Sequence, residues 1–244
     1  MSRTVPRSSG TAERDASRGR GELQPRARAT RSAILTAAAE HFARDGYHAT
    51  SLDRVLSDSG GTKGALYFHF DSKLALARSV IVEMVRQWGD LRVQVGERGL
   101  DPLSALLALV DEVVARLIES PIARGGTRLL SELPTRASGG DENYAFGERD
   151  TLALLTDAAR CGLLREDVDP AVVARQVVAL VAGHRQICDA LDHRDDLWRR
   201  IDEAWNLLLP TIATPEWLAQ WRASDWASRR RPQLSGESPE DRPE

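Results

Sequence analysis

Cysteine is scarce in this chain: Cys161 and Cys188 are the two among 244 residues. That excludes a disulfide-stapled scaffold and fits a reducing compartment. Long apolar runs are missing too. The richest stretch, Val172 to Ala182, is interrupted by Arg175 and Gln176, and falls short of the roughly 18 apolar residues a membrane span needs. The N-terminus has arginines but no apolar segment behind them, which excludes a secretory signal. Alternating β-branched runs between turn signals are absent, so no strands are required. Gly60-Gly61-Thr62-Lys63-Gly64 lacks the spacing of a phosphate-binding loop and has no strand before it. His184, Cys188 and His193 lack the paired spacing of a metal site, and no Ser/His/Asp arrangement can be argued from residue order. A soluble, cytoplasmic, all-α protein is expected, with no enzymatic function, no metal and no cofactor.

What is present is distributed unevenly. The net charge is −3, which by itself argues against a polycation that coats nucleic acid. Residues 1–75 nevertheless carry 12 Lys and Arg against 8 Asp and Glu, while 76–244 carry 21 against 28. A basic first third is joined to an acidic remainder. Aromatics make up only 5% of the chain, yet five of its six tryptophans lie beyond residue 190.

Residues 1–25 are rich in Arg, Ser, Gly and Pro and cannot bury enough apolar surface to offset ordering entropy, so a disordered basic arm is expected there. A similar tail is expected over 227–244. The first helix is predicted from Arg26 to Asp45, with Ile34, Leu35, Ala38 and Phe42 on one face and Gly46 as its stop. A short helix follows from Leu52 to Asp58, capped by Thr50 or Ser51, with Thr50 and Asp53 spaced as a capping box. Gly60-Gly61 turns the chain into a very short helix over Thr62–Phe68, and a longer one begins near Ser72. This is the outline of a helix-turn-helix over 26–75.

The larger segment, 76–226, reads as further helices. Asp101-Pro102 opens one of about 18 residues with Leu103, Leu106, Leu107, Val110, Val113, Val114 and Leu117 on a broad face. Others are predicted from Pro121 to Leu133, Tyr144 to Cys161, Pro170 to Leu191, Asp195 to Leu209 with Pro210 as terminator, and from Pro215 onward with Trp217, Trp221 and Trp226. The expected architecture is a three-helix helix-turn-helix domain followed by a larger helical body.

The densest signal is Thr62-Lys63-Gly64-Ala65-Leu66-Tyr67-Phe68-His69-Phe70-Asp71-Ser72-Lys73. A helix entering a major groove needs small residues where its backbone meets DNA, which Gly64 and Ala65 supply. Thr62 and Lys63 stand where amide groups and a cation favour phosphate, and Tyr67 lies one turn on. Leu66, Phe68 and Phe70 are expected to be core. Arg28, with Arg26 and Arg31, abuts this domain and offers further positive charge.

Over roughly residues 28–80 these motifs resemble the TetR family of transcriptional repressors: Thr50, Ser51, Gly60, Lys63, Gly64, Leu66, Tyr67, His69, Phe70, Ser72 and Lys73 match its pattern. Lys-Gly-Ala-Leu-Tyr-Phe-His-Phe is also similar to the γ-butyrolactone-receptor branch of actinomycetes. The resemblance implies a dimeric repressor on a palindromic double-stranded DNA operator, released by a small apolar signalling molecule. Its DNA-contacting residues would be Thr50, Ser51, Thr62, Lys63, Gly64, Ala65, Tyr67, His69 and Lys73, with Arg28. One departure stands out. The family usually has a β-branched residue after the turn glycine, and Gly61 there is expected to remove a packing contact.

For the larger domain the resemblance implies two functions. Ligand-lining candidates are Val85, Trp88, Val110, Val114, Leu130, Phe146, Leu155 and Val178, with Thr127 and Gln186 as polar anchors. Receptors of this branch place a Trp just after the mid-domain loop, whereas Asn143–Asp157 has Tyr144 and Phe146 but no Trp. Either Phe146 takes that role or the chain answers to a different small molecule. Pairing of the two penultimate long helices in a homodimer would use Val173, Val177, Leu180, Val181, Leu197, Ile201, Trp205 and Leu208. The alternative reading is a dimeric DNA-binding regulator without an effector.

Overall fold

The computed structural model describes residues 12–133 and 140–224, with side chains over 25–133 and 147–224. Ten helices occur among the described residues: α1 Ala12–Ala49, α2 Leu52–Ser59, α3 Lys63–His69, α4 Lys73–Gly96, α5 Pro102–Glu119, α6 Pro121–Glu132, α7 Gly140–Arg160, α8 Pro170–Leu191, α9 Asp196–Ile212 and α10 Pro215–Ala223. The extended backbone among these residues amounts to one antiparallel bridge, Leu164 to Ala213.

Prolines and caps set most of these limits. α5 and α8 each begin with Pro at the first turn behind an Asp whose carboxylate accepts amide hydrogen bonds: Asp101 from Leu103 and Ser104, Asp169 from Ala171. Three boundaries differ from those the sequence predicts, one being that α7 begins at Gly140 and not at Tyr144. α1 begins at Ala12, within the arm expected to be disordered, and carries Pro25 inside it; Ala12, Glu13, Arg14, Ala16 and Arg18 are good helix formers. Pro210 does not end α9. It removes one backbone donor, but Leu209 and Ile212 are both buried, and their packing carries the helix past it. Trp226 and the 227–244 tail lie outside the described residues.

The chain forms two compact units. The first comprises Met1–Met84 with Pro121–Ser138, and the second Val85–Ser120 with Gly139–Glu244. This division places α6 with the helix-turn-helix, not with the larger body where the sequence reading left it.

In the first unit, Ile34, Leu35, Ala38 and Phe42 form the buried stripe of α1, as their spacing predicts. α2, α3 and α6 all pack on α1. The reason α6 belongs here is steric. A Cβ on Gly125 would stand 2.5 Å from the Ala39 carbonyl oxygen, so only glycine lets the two backbones approach this closely. Gly46 breaks α1 with φ 79°, and a Cβ there would also lie 2.5 Å from a Glu132 carboxylate oxygen. Backbone conformation demands glycine at that residue, and a Cβ would in addition push the Glu132 carboxylate aside.

Gly61 is explained in the same way. Its amide donates to the Leu56 carbonyl, and a Cβ would approach Ile34 Cγ1 to 3.3 Å. The site of the expected lost contact is already filled by Ile34.

In the second unit, α5 packs against α7, α8 and α9. Its predicted face is buried at Leu103, Leu106, Leu107, Val110, Val114 and Leu117, while Val113 is half-buried. Each fully buried side chain of this kind contributes about 1.5–3 kcal/mol. Val95 of α4 joins Ala105 and Ala108 in this core, against Leu109 and Leu154. Trp217 is buried, stacks on Trp221 at 6.3 Å, and donates its indole N–H to Asp101 Oδ1, anchoring α10 at the start of α5.

Candidate nucleic-acid interface and effector region

α3 carries a largely exposed face in the first unit. Thr62 caps it, its hydroxyl accepting from the Ala65 amide at 3.2 Å. Leu66 and Phe70 turn inward and are buried, with the Arg31 guanidinium 5.3 Å from the Phe70 ring centroid. Thr62, Lys63, Gly64 and Tyr67 face outward, while Ala65 and His69 are half-buried. Phe68, expected in the core, is 80% exposed. Leu66 is turned inward from α3 and Phe70 from the extended residue that ends it, whereas Phe68, two residues on from Leu66, falls on the opposite side of the helix.

α2 is fixed to α1 by anchors of its own. His41 is buried in α1, and its ring bridges to α2. Arg44 Nη2 donates to Nδ1 at 2.8 Å, leaving Nε2 to donate to Asp58 at 2.7 Å. Arg44 also hydrogen-bonds Asp45, and that bond holds the Asp45 carboxyl at about 2, below the ordinary 3.8; burial works against the shift and His41 adds to it. Lys63 Nζ lies 3.1 Å from Asp53 Oδ1, both side chains well exposed.

Several residues expected to meet DNA occupy other positions. Thr50 is buried and its hydroxyl donates to the Gly46 carbonyl at 2.6 Å, so it secures the α1–α2 turn. Ser51 is the N-cap of α2, without a side-chain cap bond, and the expected capping box is not formed. Lys73 donates to the His48 carbonyl at 3.1 Å and lies 4.8 Å from the Tyr47 ring centroid. Burial lowers its pKa. Lys73 thus ties the start of α4 to the end of α1. Arg28 is exposed on α1.

α6 clamps the end of α1. Arg128 Nη1 donates to the carbonyls of Ala43 and Arg44, at 3.0 and 2.9 Å, while its Nε donates to Glu132 Oε1 at 2.7 Å. Glu132 Oε2 accepts from the Tyr47 amide at 2.5 Å. Burial alone would raise the Glu132 carboxyl, but the bonds from Arg128 and Tyr47 outweigh it and hold it below its ordinary value. Sequence spacing held no signal for this clamp, because its partners are 85 residues apart.

The effector candidates divide between the units. Thr127 and Leu130 lie on α6 in the first, and the Thr127 hydroxyl is already bonded to the Ala123 carbonyl at 2.8 Å. In the second, Val110, Val114 and Leu155 are buried, Val85, Trp88 and Val178 are half-buried, and Gln186 is exposed. Phe146 and Tyr144 fall outside the described side chains. A polar pair missed from the sequence, Arg92 and Asp150, joins α4 to α7 at 3.2 Å; burial pushes the Asp150 carboxyl up against the pull of Arg92.

The expected dimer residues are largely consumed within the protomer. Val173, Val177, Leu197, Ile201 and Trp205 are buried, and Leu180, Val181 and Leu208 half-buried. The large apolar side chains that α8 and α9 leave outward are Val172, Ile187, Leu191 and Leu207.

Residues 34–80 match the family described as bacterial regulatory proteins, tetR family. The chain is 32% identical over 192 residues to the A-factor receptor protein of Streptomyces griseus, covering 79% of this chain and 67% of that protein. A solved γ-butyrolactone receptor, described as an ArpA-like protein, superposes with a TM-score of 0.71 at 30% identity, covering 81% of this chain and 95% of that one. CprB from Streptomyces coelicolor, solved in complex with its biological operator sequence, superposes with a TM-score of 0.69 at 29% identity, covering 81% and 95%. The exposed α3, its inward anchors and these likenesses agree: the chain belongs to the TetR family of bacterial regulatory proteins and, within it, resembles the γ-butyrolactone receptors.

Proposed function

We infer that this protein is a homodimeric transcriptional repressor that reads a two-fold operator through α3 and is released by a small apolar effector held in its second unit. The observation that carries the reading is the outward row Thr62, Lys63, Gly64 and Tyr67 on a short helix anchored by Leu66 and Phe70. Lys63 supplies charge for phosphate, Gly64 lets the backbone approach base edges, and the Tyr67 hydroxyl reaches a neighbouring phosphate. His69, Ser51 and Arg28 flank this row. The DNA-reading domain spans 26–75, and α6 buttresses it. Val172, Ile187, Leu191 and Leu207 are the apolar residues assigned to the second copy, whose symmetry matches a palindrome. The effector is assigned to Val85, Trp88 and Val178, the half-buried candidates of the second unit.

The test is a mobility shift on DNA upstream of the protein's own and neighbouring genes. Wild type binds, Lys63→Ala and Tyr67→Ala do not, and all three unfold at the same urea concentration. Affinity falls with salt by about 0.9 log units per log unit for each phosphate contacted. Added γ-butyrolactone abolishes the shift. Equal shifts by the variants would defeat the α3 assignment. An effector-free regulator is the second reading, favoured by the closed packing of Val114 and Leu155; a shift unmoved by lactones and by host culture extracts selects it.

A further inference from the structure

Among the described residues, Phe68 is the most exposed large hydrophobic side chain, at 80%. Its position makes that exposure informative. Phe68 follows the buried Leu66 by two residues, which places it about 200° around the helix and at the centre of the outward arc of α3. Gly64 lies one turn earlier on the same ridge, where a Cβ would have only Thr62 Oγ1 near it, at 3.9 Å. The His69 ring meets Phe68 edge-on, 5.0 Å between centroids and 78° between planes. That contact gives the phenyl ring a preferred orientation and reduces the freedom lost on binding.

An outward phenyl ring one turn beyond Gly64, on a helix whose other exposed side chains are the polar Lys63 and Tyr67, needs an apolar partner. It can neither donate nor accept a hydrogen bond, so covering a base nitrogen, a carbonyl or a phosphate would leave that group unsatisfied. On the major-groove edges of the four base pairs, the apolar group is the thymine C5-methyl. We propose that Phe68 is a specificity-determining residue that packs on a thymine methyl in each half-site, while Lys63 and Tyr67 fix the backbone. Gly64 allows α3 to sit deep enough for the ring to reach the base edge. This rests on the DNA-reading role of α3 and extends it from positioning to sequence choice.

The experiment uses the full chain and a duplex of about 30 base pairs that the protein itself enriches from a randomised library, long enough for two half-sites one helical turn apart. Each dT of the enriched duplex is replaced in turn by dU, which removes the methyl and keeps the pairing. For wild type, one dU per half-site weakens binding about fourfold, the factor one methyl group is worth when buried. Phe68→Ala binds the dT and dU duplexes equally and unfolds at the wild-type urea concentration. A repeat selection with Phe68→Gln loses the preferred dT at that position. A flat dU scan for wild type, an unchanged dU penalty in Phe68→Ala, or retention of the dT by Phe68→Gln overturns the assignment while leaving DNA binding intact. Failure to enrich any duplex overturns the DNA-reading role itself, and this inference with it.

Discussion

The Tyr47 amide donates to Glu132 Oε2 over 2.5 Å, joining the end of α1 to the end of α6. Arg128, four residues before Glu132, holds the other carboxylate oxygen and caps two carbonyls of α1. Glu132→Ala would orphan the amide and half of the guanidinium, at a cost of about 1–3 kcal/mol. Urea unfolding measures this. A loss below about 0.5 kcal/mol, the scale of an ordinary surface substitution, would show the clamp to be ornamental.

Neighbouring glycines on α6 should respond differently to alanine. At Gly125 the new methyl meets the Ala39 backbone, which cannot step aside. At Gly126 the nearest atom is Met84 Sδ, at 2.6 Å, on a flexible side chain. Gly125→Ala is expected to cost the full overpacking range or more, about 1–3 kcal/mol, and Gly126→Ala distinctly less. Thermal midpoints of the two variants compare them directly. Equal losses would contradict the close approach of α1 and α6.

Asp45 sets a pH dependence with a definite sign. Its folded carboxyl lies at about 2 against an ordinary 3.8, so it stays ionised in the folded state after an unfolded chain has bound the proton. Its contribution to stability is complete above the ordinary value and is lost as pH falls through the folded one. Wild type therefore loses stability between about pH 4 and pH 2 partly through this group, and Asp45→Asn shows a shallower decline over that window. Urea midpoints taken across the range test it, and parallel curves would remove Asp45 from the account.

Lys63 is paired with Asp53 before any DNA arrives. Exposed pairs of this kind contribute at most about 1 kcal/mol, so the pair yields readily to phosphate, but the Asp53 carboxylate still repels the approaching backbone. Asp53→Asn is expected to tighten binding to all duplexes by a similar factor, a few-fold at low salt, without changing sequence preference. Titrations on a preferred and a scrambled duplex separate the outcomes. Tightening on only one of them would mean that Asp53 reads a base.

The local signals of this chain were legible because their causes are local. Pro102, Pro121, Pro170 and Pro215 open helices since each lacks an amide hydrogen that a first turn does not need. Gly60 ends α2 at φ 65°, and the 3.6-residue spacing of Ile34, Leu35, Ala38 and Phe42 exposes the buried side of α1 directly. The helix-turn-helix and its likeness to TetR repressors follow from such signals, as does the basic first third that hid behind a net charge of −3.

Tertiary structure decided which of several chemically suitable residues occupy each role. Lys63 and Lys73 are both expected among the DNA-contacting residues, yet Lys73 donates to the His48 carbonyl while Lys63 stays outward. Leu66, Phe68 and Phe70 are all apolar, but only Leu66 and the cap residue Phe70 are buried. Val173 and Val177 face their own protomer, while the adjoining Val172 faces away from it. The place of α6 depends on one missing methyl group at Gly125, opposite Ala39, 86 residues earlier in the sequence. Propensity and periodicity act over a few residues, and so determine elements. Close approach, burial and side-chain aim depend on which distant segments share the same space, and these the fold alone decides.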